Sequence, residues 1–520
     1  MIYGVVCGLD PGLICALTPY LLVFGSFSYP LFKVFNISRF WTRIYGFIYV
    51  VLASLFTFPV YLETLDGNVY TYYMAGFPPP IGITYVIDNL NSFLALLVSL
   101  LVLVSYPLMK NYVEDNEYFY AMLLAFEAGL LGVLYTGDVF NLFVMLELTL
   151  IASYSLIASY GRASSYKSAF KYAMIAGVSG MIFFLSTILY YNVLGTLNIG
   201  HGAAIVESIT PPIGRSDEPL TALHIVLTIM LWSLLVETAL VPLHFWLPDA
   251  YSSAPPPIAG LLAGLSEGVG FYVLIRLYYV LLGGFDQVTS LVLGVLGILS
   301  ILVGGFGMIF SNNLLKIISY SVVLDAGYMG IALSLGVNGV YIVLSYILAH
   351  TIVKPLLFIT SGYVVHKRGT PNLDKLRGVL RSSPILQLGF LIGAIAVVGV
   401  PPTILFQAKL QLYIEALSSI DGFSLYPVIA LIVMVMGSIM AFTGFARAFY
   451  STLFMHGELV EKPRGYTVFF IVLFSTLVIV LGIIYGYLYD NVIMPAGLAV
   501  IQYRFKYIKT VVEGLGWLKW

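Results

Sequence analysis

The sequence predicts an all-α polytopic membrane protein with about fourteen transmembrane helices. Hydrophobic residues make up 60% of its 520 residues, and the mean hydropathy is +0.97. Only 9% of the residues are charged, against roughly 25% in soluble domains. Apolar stretches of the length that crosses a bilayer, about 20 residues, recur almost from end to end. Because these runs are continuous rather than alternating, they favour helices over the strands of a membrane barrel.

Each predicted span is separated from the next by a short break rich in Gly, Pro, Asn or charge. The spans cover residues 10–32, 41–63, 91–109, 118–136, 139–160, 166–191, 221–241, 257–281, 289–310, 314–335, 338–364, 384–415, 425–450 and 467–489. The amino-terminal region lacks a basic segment, so we expect no cleavable signal peptide. No sizeable soluble domain is expected either, and any cofactor would therefore belong to a partner chain.

Loop charges predict the orientation, since cytoplasmic loops are enriched in Lys and Arg. The basic loops hold Lys33, Arg39, Arg43, Arg162, Lys167, Lys171, Lys367, Arg368, Lys375, Arg377, Arg381, Lys462 and Arg464. They alternate with acidic or neutral loops, which puts both termini outside. The basic tail, with Arg504, Lys506 and Lys509, breaks this pattern and predicts either an interfacial amphipathic helix or a helix count that is off by one.

The charge balance and the cysteines exclude other classes of protein. A net charge of -1 provides no basic field for nucleic acid. Cys7 and Cys15 are the only cysteines, too few for a disulfide framework or a cysteine metal site. We therefore expect the lipid bilayer and other membrane proteins as the surroundings of this chain.

Ionisable residues lie inside the predicted spans, where one charge costs roughly 2.5–3.5 kcal/mol on insertion scales. A single one can be a satisfied polar contact between helices, but the set extends over most central helices and indicates an ion or proton path. It comprises Glu127, Glu147, Glu237, His244, Glu267, Arg276, Asp325, His350, Lys354 and Lys409.

Two spans are predicted to be broken, because prolines interrupt them beside a charge. Pro242 and Pro248 follow Glu237, while Pro401 and Pro402 precede Lys409. Proline removes a backbone donor and frees a carbonyl, which membranes tolerate where protein or water surrounds the backbone. A simple kink is one interpretation. Paired breaks beside charges also fit two related halves around a midplane path.

Several motifs then become recognisable along residues 70 to 450. They are AGFPPPIGI (75–83), TGDVFNLFVMLE (136–147), VPLHFWLPDAYSSAPPP (241–257), SYS (319–321) with GY (327–328), HTIVKP (350–355), NLDKLRG (372–378) and VPP (400–402). Together they resemble the antiporter-like membrane subunits of respiratory complex I and Mrp antiporters, a family that extends to energy-converting hydrogenases and related archaeal complexes. The first motif resembles the Mrp D-type branch.

The resemblance implies fourteen helices, of which the seventh and twelfth are broken, and two inverted five-helix repeats. The corresponding domains are residues 1–110 (three helices), 111–283 (first repeat), 284–455 (second repeat) and 456–520 (last helix and tail). It also implies an ion path, with His244 in the first broken segment. The family's fifth-helix Glu is present as Glu147, its His-xxx-Lys as His350 and Lys354, and its Lys after the second break as Lys409.

The first half departs from the family pattern. The seventh-helix lysine is replaced by Glu237, and the eighth-helix lysine by Gly268, next to Glu267; a polar position of the tenth helix is Asp325. Glu147 would then face Glu237. Two carboxylates in a low dielectric cannot both stay ionised cheaply, so they would share a proton or hold a cation such as sodium.

Three interpretations follow. In the first, the carboxylates Glu147, Glu237 and Glu267 move protons or sodium. In the second, the first half no longer conducts and the subunit is a spacer, with Lys354 and Lys409 as a remnant or an exit path. In the third, the chain is a solute transporter that shares only the architecture. We favour the first, because Glu in place of Lys keeps an ionisable group that an inert spacer would not need.

The same departures bear on the assembly. A stand-alone antiporter depends on this path, whereas a redox complex with several such subunits tolerates an unorthodox one. We therefore expect a membrane subunit of a redox-driven complex of the hydrogenase or complex I type in the cell membrane, with a cytoplasmic redox module on other chains. The alternative is the D-type subunit of a multisubunit Na⁺/H⁺ antiporter.

Overall fold

A computed structural model describes residues 10–113, 117–209, 218–420 and 425–513. The helices are α1 (Pro11–Val34), α2 (Arg39–Thr64), α3 (Asn89–Ser105), α4 (Glu117–Tyr135), α5 (Val139–Ala158), α6 (Ala163–Leu194), α7 (Ile199–Ile209), α8 (Glu218–Leu234), α9 (Leu247–Ser253), α10 (Pro256–Leu282), α11 (Gln287–Phe310), α12 (Leu314–Ser334), α13 (Asn338–Arg368), α14 (Pro384–Val398), α15 (Ile404–Ser418), α16 (Tyr426–Phe449), α17 (Tyr466–Ile483), α18 (Tyr485–Leu488), α19 (Met494–Ile501) and α20 (Arg504–Glu513).

Short elements complete the described chain. Two antiparallel strands, β1 (Tyr70–Tyr73) and β2 (Thr84–Ile87), form a hairpin in which Tyr70 pairs with Ile87. The 3₁₀ and π segments are Met74–Gly76, Tyr106–Asn111, Leu373–Lys375, Val379–Ser382, Tyr450–Phe454 and Tyr489–Ile493.

The all-α polytopic class is confirmed. Among the described residues, twelve helices are long and apolar enough to cross a membrane, or up to thirteen if the bent pair Leu373–Ser382 and Pro384–Val398 is one span. The two spans predicted to be broken, 221–241 and 384–415, are interrupted. α8 ends at Leu234 and α14 ends at Val398, where Gly399 adopts a φ of +90°. Both interruptions fall at the proline-rich segments, but the inverted repeats remain a prediction.

The centre of the bundle is the pair α10 and α13, whose most apolar windows are completely buried. Small residues on α10 allow the two helices to approach closely. A Cβ atom on Gly260 would lie 3.0 Å from the Cα atom of Pro355, and one on Gly268 would lie 3.0 Å from Ile347. Gly268, where the family resemblance implies a lysine, therefore serves close packing in this chain.

Arg276 of α10 makes a structural ion pair at the end of the hairpin. Its Nη1 and Nη2 atoms donate to the two carboxylate oxygens of Asp88 at 2.6 and 2.9 Å. The Asp88 carboxylate also caps α3 by accepting from the Asn91 backbone. Because both partners are buried and bidentate, this intramembrane charge is accounted for by packing of the hairpin against α10.

The basic tail forms an amphipathic helix on the acidic side of the bundle. Tyr507, Ile508 and Val511 form the buried face of α20. Arg504 pairs with Glu207 at 2.5 Å and donates to the carbonyls at the end of α10, where the helix dipole favours a cation. These contacts explain why basic residues occur on this side. The tail also contains Trp517 and Trp520, a residue type that suits the head-group region of a membrane, but both lie outside the described residues.

Candidate ion path

The structure brings Glu147 and Glu237 to one cavity of about 10 Å³, lined also by Gly180 and Ser233. Glu147 projects from α5, and Glu237 lies in the turn after α8. The Glu147 carboxylate rests on Gly180 of α6, since a Cβ atom there would lie 1.7 Å from its Oε1 atom. The missing side chain at Gly180 therefore makes the room for this carboxylate.

The cavity has room for about one water molecule, which is also the scale of a small cation. Within the described ranges, no group of three or more His, Cys, Asp or Glu residues is placed to hold a metal ion. Glu147 and Glu237 supply only carboxylate oxygens, the ligand type that hard cations prefer. Sodium between these two residues therefore stays a prediction.

Glu267 is fully buried in α10 and is held by the first broken segment. Its Oε1 atom accepts a hydrogen bond from the hydroxyl of Tyr251 in α9 at 2.6 Å. The broken segment is fixed above it by Trp246, whose ring stacks on Tyr172 of α6 with centroids 3.8 Å apart. Aromatic packing thus sets the position of the Tyr251 hydroxyl.

His244 lies in the same broken segment and is half-buried. In the described part of the chain, no contact joins its ring to Glu147, Glu237 or Glu267. Among the described contacts, His244 is therefore not part of the cluster of first-half carboxylates.

The second half contains a compact buried cluster. The Nζ atom of Lys354 lies 2.6 Å from Oδ2 of Asp325, and the Nε2 atom of His350 lies 3.2 Å from the same oxygen. Lys354 also donates to the backbone and the hydroxyl oxygens of Ser321 at 3.1 and 3.0 Å. One carboxylate thus faces two basic groups, which offsets much of the cost of burying a charge.

Lys409 lies at the second break, and its contacts with the described residues include no carboxylate. Its Nζ atom donates to the Val397 carbonyl at 2.7 Å and to the Ser438 hydroxyl at 3.3 Å. It also lies 4.4 Å from the centre of the Tyr328 ring. The carbonyls at the end of α14 and the π face of Tyr328 therefore stabilise the ammonium group.

The helix pair α10 and α13 connects the two halves. Glu267 lies on α10 between Gly264 and Gly268, which pack on the α13 turns that carry His350 and Lys354. The hydroxyl of Thr351 donates to the Gly264 carbonyl at 3.3 Å. The first-half carboxylates and the second-half cluster therefore meet along one buried helix contact.

Sequence reasoning missed the two hydroxyl groups, of Tyr251 and Ser321, and the aromatic ring of Tyr328 that hold the buried charges. Tyr251, Ser321 and Tyr328 each contact a buried ionisable side chain. All three lie within the recognised motifs, a few residues along the chain from charged positions. The spacing alone could not identify them, because the partner of each residue lies on another helix.

Comparisons with known proteins agree with this architecture. Residues 136–441 match the family described as NADH:quinone oxidoreductase/Mrp antiporter, TM. The chain is 31% identical over 410 residues to NADH-quinone oxidoreductase subunit N of Desulforudis audaxviator, covering 77% of this chain and 80% of that protein. It is 29% identical over 409 residues to the D-type Na(+)/H(+) antiporter subunit of Alkalihalophilus pseudofirmus, covering 77% and 79%.

Solved structures give the same result. A chain of the membrane-bound sulfane sulfur reductase, an archaeal respiratory membrane complex, matches with a TM-score of 0.85 and 25% identity, covering 96% of this chain and 99% of that one. A chain of the Mrp complex from Dietzia sp. DQ12-45-1b matches with a TM-score of 0.84 and 22% identity over the same shares, which shows the fold.

The fold and its buried charges define the class as an antiporter-like, multi-pass membrane subunit. The chain belongs to the NADH:quinone oxidoreductase/Mrp antiporter transmembrane family.

Proposed function

We propose that this chain translocates protons or sodium ions as a membrane subunit of a redox-driven respiratory complex in the cell membrane. Its partners are other membrane subunits and a cytoplasmic redox module carried by other chains; this chain binds no redox cofactor. The observation that carries the proposal is the buried pair of Lys354 and Asp325 at 2.6 Å, joined through α10 to the first-half carboxylates.

The second half moves a proton through Lys354. While Asp325 lies against it, the protonated ammonium is stabilised; when the two separate, the proton passes to the next basic group. Coupled ionisable groups respond to one another in this way because each changes the charge its neighbour experiences. Lys409, held by carbonyl oxygens and Tyr328, is the exit group.

The first half works with carboxylates in place of the usual Glu–Lys pair. Glu147 and Glu237 share one proton or hold one cation between them, since two ionised carboxylates at one small cavity repel strongly. Glu267, oriented by Tyr251, continues the path toward Lys354. A non-conducting first half, which would make the subunit a spacer, is the competing interpretation.

Two observations support the redox-driven assembly. The similarity to a chain of an archaeal respiratory membrane complex covers 96% of this chain. The second observation is the replacement of both first-half lysines. A stand-alone antiporter depends on this path for all its transport, so the replacement is harder to reconcile with that role. The alternative, the D-type subunit of a multisubunit Na⁺/H⁺ antiporter, is supported by the similarity to such a subunit.

The test is ion uptake into proteoliposomes that contain the complex purified through a tag on this chain. We expect uptake that requires a reduced electron donor. Exchange of Na⁺ for H⁺ driven by an imposed gradient, with no effect of any donor and no iron–sulfur or flavin chains in the preparation, would instead support the stand-alone antiporter.

The Glu237→Gln variant, measured with and without sodium, tests the first half in the same preparation. A loss of uptake only with sodium supports a cation between the carboxylates, and a loss under both conditions supports a shared proton. Unchanged uptake would reduce this half to a spacer. Glu415→Gln is the control, because Glu415 is a partly exposed carboxylate that does not line the first-half cavity and whose Oε2 accepts from Asn338.

A further inference from the structure

A polar cavity of about 250 Å³ lies at the ends of two spanning helices, apart from the ion path. Lys167, Ser168 and Lys171 line it from the first turns of α6. Asn313 and Lys316 line it from the beginning of α12, and Asp249 of α9 lies between them. The cavity therefore sits where the two halves meet at the basic face of the bundle.

The lysines of this cavity outnumber its carboxylate. The two oxygens of Asp249 are occupied by Lys171 at 2.8 Å and Lys316 at 2.7 Å. Lys171 is fixed further by donating to the Phe245 carbonyl at 2.7 Å. In the described ranges Lys167 has no ion-pair partner, so three cations face one carboxylate. The cavity is thus a positively charged site with hydroxyl and amide donors.

The length of α6 indicates that its first turns, which line the cavity, extend beyond the hydrocarbon core. α6 has 32 residues, a length of about 48 Å at the usual helical rise, which exceeds the roughly 30 Å hydrocarbon core. An exposed apolar strip, comprising Phe170, Met174 and Met181, runs along α6 from the turn that carries Lys167. Helical spacing puts Lys167 at the end of this strip.

We propose that this cavity binds the phosphate group of an anionic phospholipid, whose acyl chains lie along the exposed strip of α6. The phosphate oxygens accept from the ammonium groups of Lys167, Lys171 and Lys316, and the single negative charge of a phosphodiester offsets part of the excess positive charge. A free phosphate ion would satisfy the same donors but would leave the apolar strip unused. The lipid therefore fits both features of the site.

The test compares the thermal stability and lipid retention of the tagged complex in nanodiscs of phosphatidylcholine alone and with added phosphatidylglycerol. We expect the anionic lipid to raise the midpoint of unfolding and to remain bound in native mass spectrometry. Lys167→Gln should weaken binding about fivefold, the effect of one lysine near a charged membrane surface. Lys167→Glu should abolish the preference for phosphatidylglycerol.

Lys110→Gln is the matched control, because Lys110 is exposed in the segment that joins α3 and α4 and does not line this cavity. If Lys110→Gln and Lys167→Gln weakened binding of the anionic lipid equally, the site would be overturned, because general surface charge would then explain the binding. Equal stabilisation by both lipids would also overturn it. If millimolar inorganic phosphate raised the midpoint of unfolding fully and the anionic lipid raised it no further, the lipid would be overturned as the source of the phosphate.

Discussion

The ammonium nitrogen of Lys354 lies 2.6 Å from Oδ2 of Asp325, and both side chains are fully buried. The carboxylate comes from α12 and the lysine from α13, so the contact is set by the packing of two neighbouring helices. A buried pair of this kind costs desolvation on both sides and is retained where the charges are used. Separation of these two atoms is the elementary step of the proposed path.

Asp325→Asn should abolish most ion uptake, because Lys354 then loses the charge that stabilises its proton. Removing one partner of a buried pair also costs about 3–5 kcal/mol of stability, so unfolding should be measured beside uptake in proteoliposomes. Asp374→Asn, which breaks an exposed pair with Arg377, is the control and should leave both stability and uptake nearly unchanged. Normal uptake by a folded Asp325→Asn variant would remove Asp325 from the path.

Gly180→Ala should lower uptake without changing any charge. The new methyl group would occupy the position of the Glu147 carboxylate, whose Oε1 atom lies 1.7 Å from the place of that Cβ atom. Gly177→Ala, one turn earlier on α6 with nothing within 4 Å of its Cβ position, should leave uptake unchanged. Equal uptake by both variants would show that the placement of Glu147 does not matter.

Tyr251→Phe should slow uptake while leaving the fold intact, because it removes only the hydroxyl that donates to Glu267. A hydrogen bond to a charged group contributes about 1.5–3 kcal/mol, so an effect of about 10- to 100-fold is expected if the bond forms during transport. Tyr363→Phe, which removes a hydroxyl that donates to the Glu461 carbonyl at the basic face, is the comparison. Similar rates for the two variants would make Tyr251 a packing residue.

Lys409→Ala should be at least as damaging as Glu237→Gln if Lys409 is the exit group. Tyr328→Leu should reduce uptake less, since it removes the ring under the ammonium but leaves the Val397 carbonyl as acceptor. Uptake measurements on both variants give this order directly. A silent Lys409→Ala variant would leave only the spacer interpretation for the second half.

Much of the fold could be predicted because the bilayer restricts what a chain can do. Backbone groups in hydrocarbon must be satisfied within the helix, so long apolar runs such as 257–281 and 338–364 appear as α10 and α13. The proline clusters likewise predicted the two interruptions. The residues at which the two interruptions begin were less predictable. α8 ends at Leu234, and the turn that contains Glu237 lies before the first proline, Pro242.

The sequence by itself determined that the chain is a helical membrane protein, which positions carry buried charge, and where the first half departs from its family. The first two follow from composition and spacing, which are local properties, and the third follows from the resemblance of the motifs to the family. Only the tertiary structure decided that Asp325 faces Lys354, that Tyr251 holds Glu267, and that Arg276 belongs to a structural pair with Asp88. Each of these contacts joins different elements, so its geometry depends on how the helices pack and cannot be read from either element alone.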